Sequence, residues 1–170
     1  MELKEYIQIE LDEMKRAVMR VADGLSQEEL VWRPSPECNP IGLILFHMAR
    51  SEDSFIQLRI QGKPLLWESE KWHEKLNMPA SETGSHYDGA QVNAFKPPLL
   101  KDLMTYYDAV RAKTEDCLKS VTADGFDRKF TMPRFGEVTV GGIFSIVVRH
   151  VNQHIGEVSY LRGLQRGMNK

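Results

Sequence analysis

The sequence predicts an all-α fold: a four-helix bundle with a long connection between helices two and three. Three observations predict it. Apolar residues recur at helical spacing over four stretches, near 2–24, 40–61, 98–121 and 140–163. Glycine, proline or a capping residue bounds each stretch. The chain of 170 residues fits one domain, 1–170, and is long enough to bury a real core.

The first helix carries Leu3, Tyr6, Ile7, Leu11, Met14, Val18 and Val21 on one stripe, and Asp23-Gly24 supplies its stop. Arg16 and Arg20 sit near the negative end of its dipole. Ser26 with Glu29 is a capping-box pattern for a short turn through Leu30. The run Trp32-Arg33-Pro34-Ser35-Pro36 then excludes regular helix. Asn39-Pro40 opens the second helix, with Asn as N-cap and Pro at the first helical position, and Gly62 ends it. Its expected inner face is Leu43, Ile44, His47, Ser51, Ser54, Phe55 and Leu58.

The connection from 62 to 98 is mixed. Residues 66–76 suit one short helix, whereas 78–94 are polar, contain Gly and Ser, and lack sustained periodicity. A connection this long acts as a lid, a crossover or both. Pro97-Pro98 leads the third helix, whose buried side is Leu99, Leu103, Tyr106, Tyr107, Val110, Thr114, Cys117 and Leu118. Residues 124–137 suggest a small hairpin, with strand-like pieces on either side of Pro133 and Gly136. The fourth helix follows and runs nearly to the C-terminus.

Composition narrows the functional classes. The chain is 42% hydrophobic and 27% charged, as soluble globular domains are. A net charge of −2 argues against nucleic acid or an anionic membrane as partner. No stretch approaches the roughly 18 apolar residues of a membrane span, and the charged N-terminus reads as neither signal peptide nor anchor. Two cysteines, Cys38 and Cys117, without a C-x-x-C motif argue against a disulfide framework and make a cytoplasmic location the expectation. Cys38 precedes a helix without an adjacent general base and reads as structural. The Tyr106-Tyr107 pair reads as core packing.

The chemistry-bearing residues are histidines. His150 and His154 lie about 40° apart on the fourth helix, one turn above the other. Ile143, Ile146, Val147, Val158 and Leu161 fall within about 80° of His150, so both rings point toward the core. Two imidazoles at this spacing can converge on one ion, and His47 on the second helix lies on a core-facing stripe as well. Three nitrogens with open positions are the ligand count of a catalytic zinc site. Equally, three core histidines could each donate to a backbone carbonyl, although burying three polar groups in one layer is costly. A zincin motif is excluded, because Val151 occupies its glutamate position. A di-iron bundle needs two E-x-x-H motifs on core helices, and the one here, Glu70 to His73, lies in the connection. His73 and His86 are expected at the surface.

The run Asn39-Pro40-Ile41-Gly42-Leu43-Ile44-Leu45-Phe46-His47-Met48-Ala49-Arg50-Ser51-Glu52-Asp53, then His150-Val151-Asn152-Gln153-His154-Ile155-Gly156 and Tyr160-Leu161-Arg162-Gly163-Leu164, resembles the DinB-like superfamily, as does the upstream Trp32-Arg33-Pro34. The resemblance implies a four-helix bundle with a divalent metal, most often zinc or nickel, held at His47, His150 and His154. It also implies a small-molecule substrate and a low-molecular-weight thiol, since relatives include thiol-dependent S-transferases and maleylpyruvate isomerases. The expectation is therefore a divalent-metal-dependent enzyme, a transferase, isomerase or hydrolase acting on a small electrophile, with a homodimer as one option for its assembly. The alternative is a bundle that binds metal or a small ligand without turnover. The resemblance breaks at one place: the family often has Gln three residues after the final histidine, where this chain has Glu157. Glu157 lies about 20° from His150 on the wheel, open to a role as fourth ligand, base, partner behind a ligand, or solvated edge residue.

Overall fold

The computed structural model describes residues 1–132 and 135–167. It is mostly helical, and the long helices share one core. Helix α1 (Leu3–Ala22) buries Ile7, Leu11, Met14, Val18 and Val21 of its predicted stripe, whereas Leu3 and Tyr6, in the first turn beyond the core, are exposed. Helix α2 (Gln27–Val31) begins at the Ser26–Glu29 capping box, with Glu29 N donating to Ser26 Oγ at 3.2 Å. Glu29 also accepts from Arg166 Nη2 at 2.6 Å, which ties the end of the chain to α2 and holds the Glu29 carboxyl down at about 2.

Helix α3 (Ile41–Asp53) starts one residue later than expected, with Pro40 rather than Asn39 at the cap position in extended backbone. It runs directly into a π-helical segment, Ser54–Ile60, where the sequence suggests unbroken α-helix. Leu58 is a correction that follows from this: it is 44% exposed rather than on the inner face.

The connection is more ordered than its composition suggests. The single short helix expected over 66–76 is two turns, α4 (Leu66–Ser69) and α5 (Trp72–Lys75), broken at Lys71, whose φ is 56°. Within the stretch read as lacking periodicity, α6 (Gly89–Ala94) forms behind a capping box of Asp88 and Gln91. Helix α7 (Leu100–Ser120) buries Leu103, Tyr106, Tyr107, Val110, Thr114, Cys117 and Leu118. Leu99 is the exception to its expected face: it stands at the cap and is 63% exposed. Strands β1 (Lys129–Met132) and β2 (Gly136–Thr139) form the expected hairpin, with Lys129 opposite Thr139 and Met132 opposite Gly136. Thr139 Oγ1 then accepts from Gly142 N at 3.0 Å and opens α8 (Val140–Arg166).

Helix α3 packs on α7 and α8, and α1 packs on the same two. Between α3 and α7 lies a buried ion pair that spacing alone does not reveal. Arg111, 0% exposed, donates to Glu52 Oε2 at 2.8 Å and to the Tyr107 hydroxyl at 3.0 Å. Thr114 donates to the other Glu52 oxygen at 2.6 Å. Such a pair survives burial because each charge is met by several hydrogen bonds. No helix among the described residues is long and apolar enough to cross a membrane.

Candidate metal centre

His47 comes from the middle of α3, and His150 and His154 from successive turns of α8. Because α3 and α8 pack together, their ring nitrogens converge. His47 Nε2 lies 2.9 Å from His150 Nε2, and His154 Nε2 lies 3.2 Å from the same atom. Nitrogens sharing one ion through bonds of ~2.1 Å lie no more than about 4.2 Å apart, so these separations fit a common ion. One ligand atom from each of the three falls within 4.8 Å of the others.

The opposite face of two rings is held. His47 Nδ1 lies 2.9 Å from the Gly84 carbonyl and 3.0 Å from Ser85 Oγ. His154 Nδ1 lies 2.7 Å from Glu157 Oε2. A carbonyl or carboxylate can only accept, so each Nδ1 carries the proton and each Nε2 presents a lone pair inward. Glu157 is thus neither a fourth ligand nor a cavity group: its side chain is 41% exposed and stands behind His154.

Electrostatics favour the neutral, ligating form. Burial is the main cause that lowers the His150 pKa to about 3, with His154 and His47 adding to it. His47 is lowered too, first by burial and then by His154. Three imidazoles this close cannot all be protonated, and neutral nitrogens are what a divalent cation needs.

The cluster lies at one wall of a cavity of about 820 Å³, lined also by Phe55, Leu65 and Ile146. The connection contributes Thr83, Ser85 and His86. His86 is exposed as expected, yet at the rim of this cavity; His73 stands away from it, half-buried, its ring 6.2 Å from Trp67. Cys38 is half-buried with Sγ 3.3 Å from Ser35 Oγ.

Two anchoring features escape sequence reasoning. Gly84 has φ +69°, and a Cβ there would stand 2.9 Å from Phe46 Cδ1, so only glycine brings this carbonyl onto His47. In the sequence Gly84 is one small residue of a polar connection, and nothing near it in the chain marks the close approach to Phe46. The second is Arg50. Its Nε and Nη2 donate to the Glu82 carbonyl at 3.3 and 3.2 Å, and its Nη1 lies 3.7 Å from Asp53. Asp53, 0% exposed, accepts from Leu66 N at 3.0 Å, Trp67 N at 3.1 Å and the Tyr106 hydroxyl at 3.0 Å. Burial raises its pKa while those donors oppose the shift. Through these contacts α3 holds the connection at Leu66 and Trp67 and again at Glu82, two residues before the Gly84 carbonyl that meets His47. A charged run within a helix was the available signal.

Fold and site together define a helical protein with a histidine cluster that could hold a metal ion beside a ligand-sized cavity. The chain belongs to the DinB superfamily, whose family model matches residues 10–158. A crystal structure of a conserved protein from Enterococcus faecalis is similar over 96% of this chain and 97% of that chain, with a TM-score of 0.84. At 19% identity that likeness is one of fold. No curated protein matches the chain.

Proposed function

We propose that this protein is a metal-dependent enzyme in which His47, His150 and His154 hold a divalent cation, zinc or nickel, inside a four-helix bundle made by α1, α3 with its π-helical extension, α7 and α8. The observation that carries the reading is the convergence of three Nε2 atoms, two of them with Nδ1 already committed to Gly84 and Glu157. When bound, such a cation supplies Lewis acidity and lowers the pKa of a coordinated water or thiol. The chain's own residues do the rest. The Gly84 carbonyl and Glu157 fix ring orientation, and the apolar walls at Phe55 and Ile146 limit water around the cluster. The substrate is a small electrophile, and the attacking group a low-molecular-weight thiol or water.

The test begins with metal analysis of protein purified without a histidine tag. One equivalent is expected in the wild type, with a large loss of affinity in His150→Ala and unchanged helix content by circular dichroism. Replacing His73 should leave metal content untouched. Metal-dependent consumption of an electrophile with added thiols then separates an enzyme from a binding protein. A full equivalent of metal held by His150→Ala with wild-type affinity refutes the site.

A further inference from the structure

The π-helical segment after α3 changes which side chain faces the cavity. A turn closed by i→i+5 bonds holds about one residue more than an α-turn, so later residues are set back around the axis. The bond from Gln61 N to the Ile56 carbonyl, 3.1 Å, has this spacing. In unbroken α-helix Leu58 would lie about 20° from His47 and Arg59 about 120° away. Instead Leu58 is turned out to solvent, and Arg59 lines the same cavity as His47.

A second guanidinium, Arg149 on α8, lines that cavity beside His150. Among the described residues its one hydrogen bond runs from Nε to the Ser145 carbonyl of its own helix, at 3.4 Å. Neither Arg59 nor Arg149 is in an ion pair among the described residues. Arg50, the third arginine of the lining, is buried and turned to the Glu82 carbonyl through Nε and Nη2, while its Nη1 stands 3.7 Å from Asp53 without a hydrogen bond. Among the described residues no aspartate or glutamate lines the cavity, although acids outnumber Lys and Arg 24 to 22 in the chain. Both guanidiniums are also open to solvent, so they stand at the cavity's mouth and make it electropositive in a slightly acidic protein, a field that draws an anionic ligand in preference to a neutral one.

We propose that Arg59 and Arg149 are a clamp for the oxyanion end, carboxylate or phosphate, of the small molecule this cavity takes. Guanidinium forks match both groups. The apolar wall of Phe55, Leu65 and Ile146 would pack the body of the molecule, whose other end faces the histidines. The proposal rests on the reading of this cavity as the enzyme's ligand site, and it requires no bound metal.

The test is calorimetric titration of the full-length, chelator-treated protein at pH about 8, where imidazoles are neutral. The probes are glutarate against its diamide, and glycerol phosphate against glycerol. At least one anion should bind, with its neutral counterpart weaker by about tenfold or more. Arg59→Gln and Arg149→Gln should each weaken the anion by about tenfold, and Arg20→Gln on α1 should not. The preferred anion identifies carboxylate or phosphate as the recognised group. Metal content, measured on the same variants, should stay at the wild-type value. Loss of anion binding in the arginine variants with metal retained supports the clamp. Failure of both anions to bind, or equal binding by anion and neutral partner, overturns it, as do arginine variants that bind like wild type. A wild type that binds the anion but takes no metal refutes the metal reading while sparing the clamp.

Discussion

Gly84→Ala perturbs fold and site through a single methyl group. The residue has φ +69°, where an L side chain costs about 1 kcal/mol relative to glycine. The new Cβ would also meet Phe46 Cδ1 at 2.9 Å, Phe46 Cε1 at 3.1 Å and His47 Cα at 3.4 Å. Phe46 is fully buried against Trp67 and Phe95, so it cannot yield freely, and overpacking of this kind adds about 1–3 kcal/mol. The sum, about 2–4 kcal/mol, lowers Tm by roughly 5–15 °C in a chain this size. If the loop instead lifts away to relieve the clash, the Gly84 carbonyl leaves His47 Nδ1, and metal affinity should fall about 10- to 100-fold. Gly62→Ala is the control: its φ is +63° with nothing within 4 Å, so it should lose about 1 kcal/mol and no metal affinity. Thermal melts of the metal-free proteins and competitive chelator titrations read both quantities. If the two alanine variants melt together and hold metal equally, Gly84 is an ordinary loop residue and the anchoring of His47 is wrong.

Other outcomes follow from buried charge and from the histidines. Arg111→Met should cost about 3–5 kcal/mol by urea denaturation, because Glu52 is left charged and unpaired in the core; adding Glu52→Gln should restore part of the loss. Equal stability of the single and double variants would show that the pair is not coupled. Glu157→Ala should weaken metal binding by about tenfold with little change in Tm, since Glu157 bonds His154 Nδ1 from a half-exposed position. Metal-free protein should lose stability as pH falls. His47 and His150 have folded pKa values below their ordinary one near ~6.5, so the unfolded chain takes up protons first. The stability they contribute is present above ~6.5 and is lost as pH falls toward about 3 for His150; urea midpoints across that window measure it. A flat profile in wild type, or an unchanged one in His150→Ala, would contradict the burial argument.

Much of this protein is legible along the chain because α-helices advertise themselves locally. A rotation of about 100° per residue turns apolar spacing into a buried stripe, as in α1 and α7, and puts His150 and His154 on one face of α8 without reference to anything else. The capping box at Ser26 and the hairpin before α8 depend on neighbours only a few residues away. What tertiary structure decided involves partners far apart in sequence. Only the packing of α3 on α8 brings His47 within 2.9 Å of His150, and only the passage of residues 82–85 over α3 orients its ring. Glu52 lies about 140° from His47 on the helical wheel, off the expected inner face, yet Arg111 on another helix answers it in the core. The π-helical segment is the sharpest instance. One residue's excess in a turn exchanges Leu58 for Arg59 at the cavity, and 3.6-residue periodicity, which assumes uniform rotation, assigns that face to the wrong side chain.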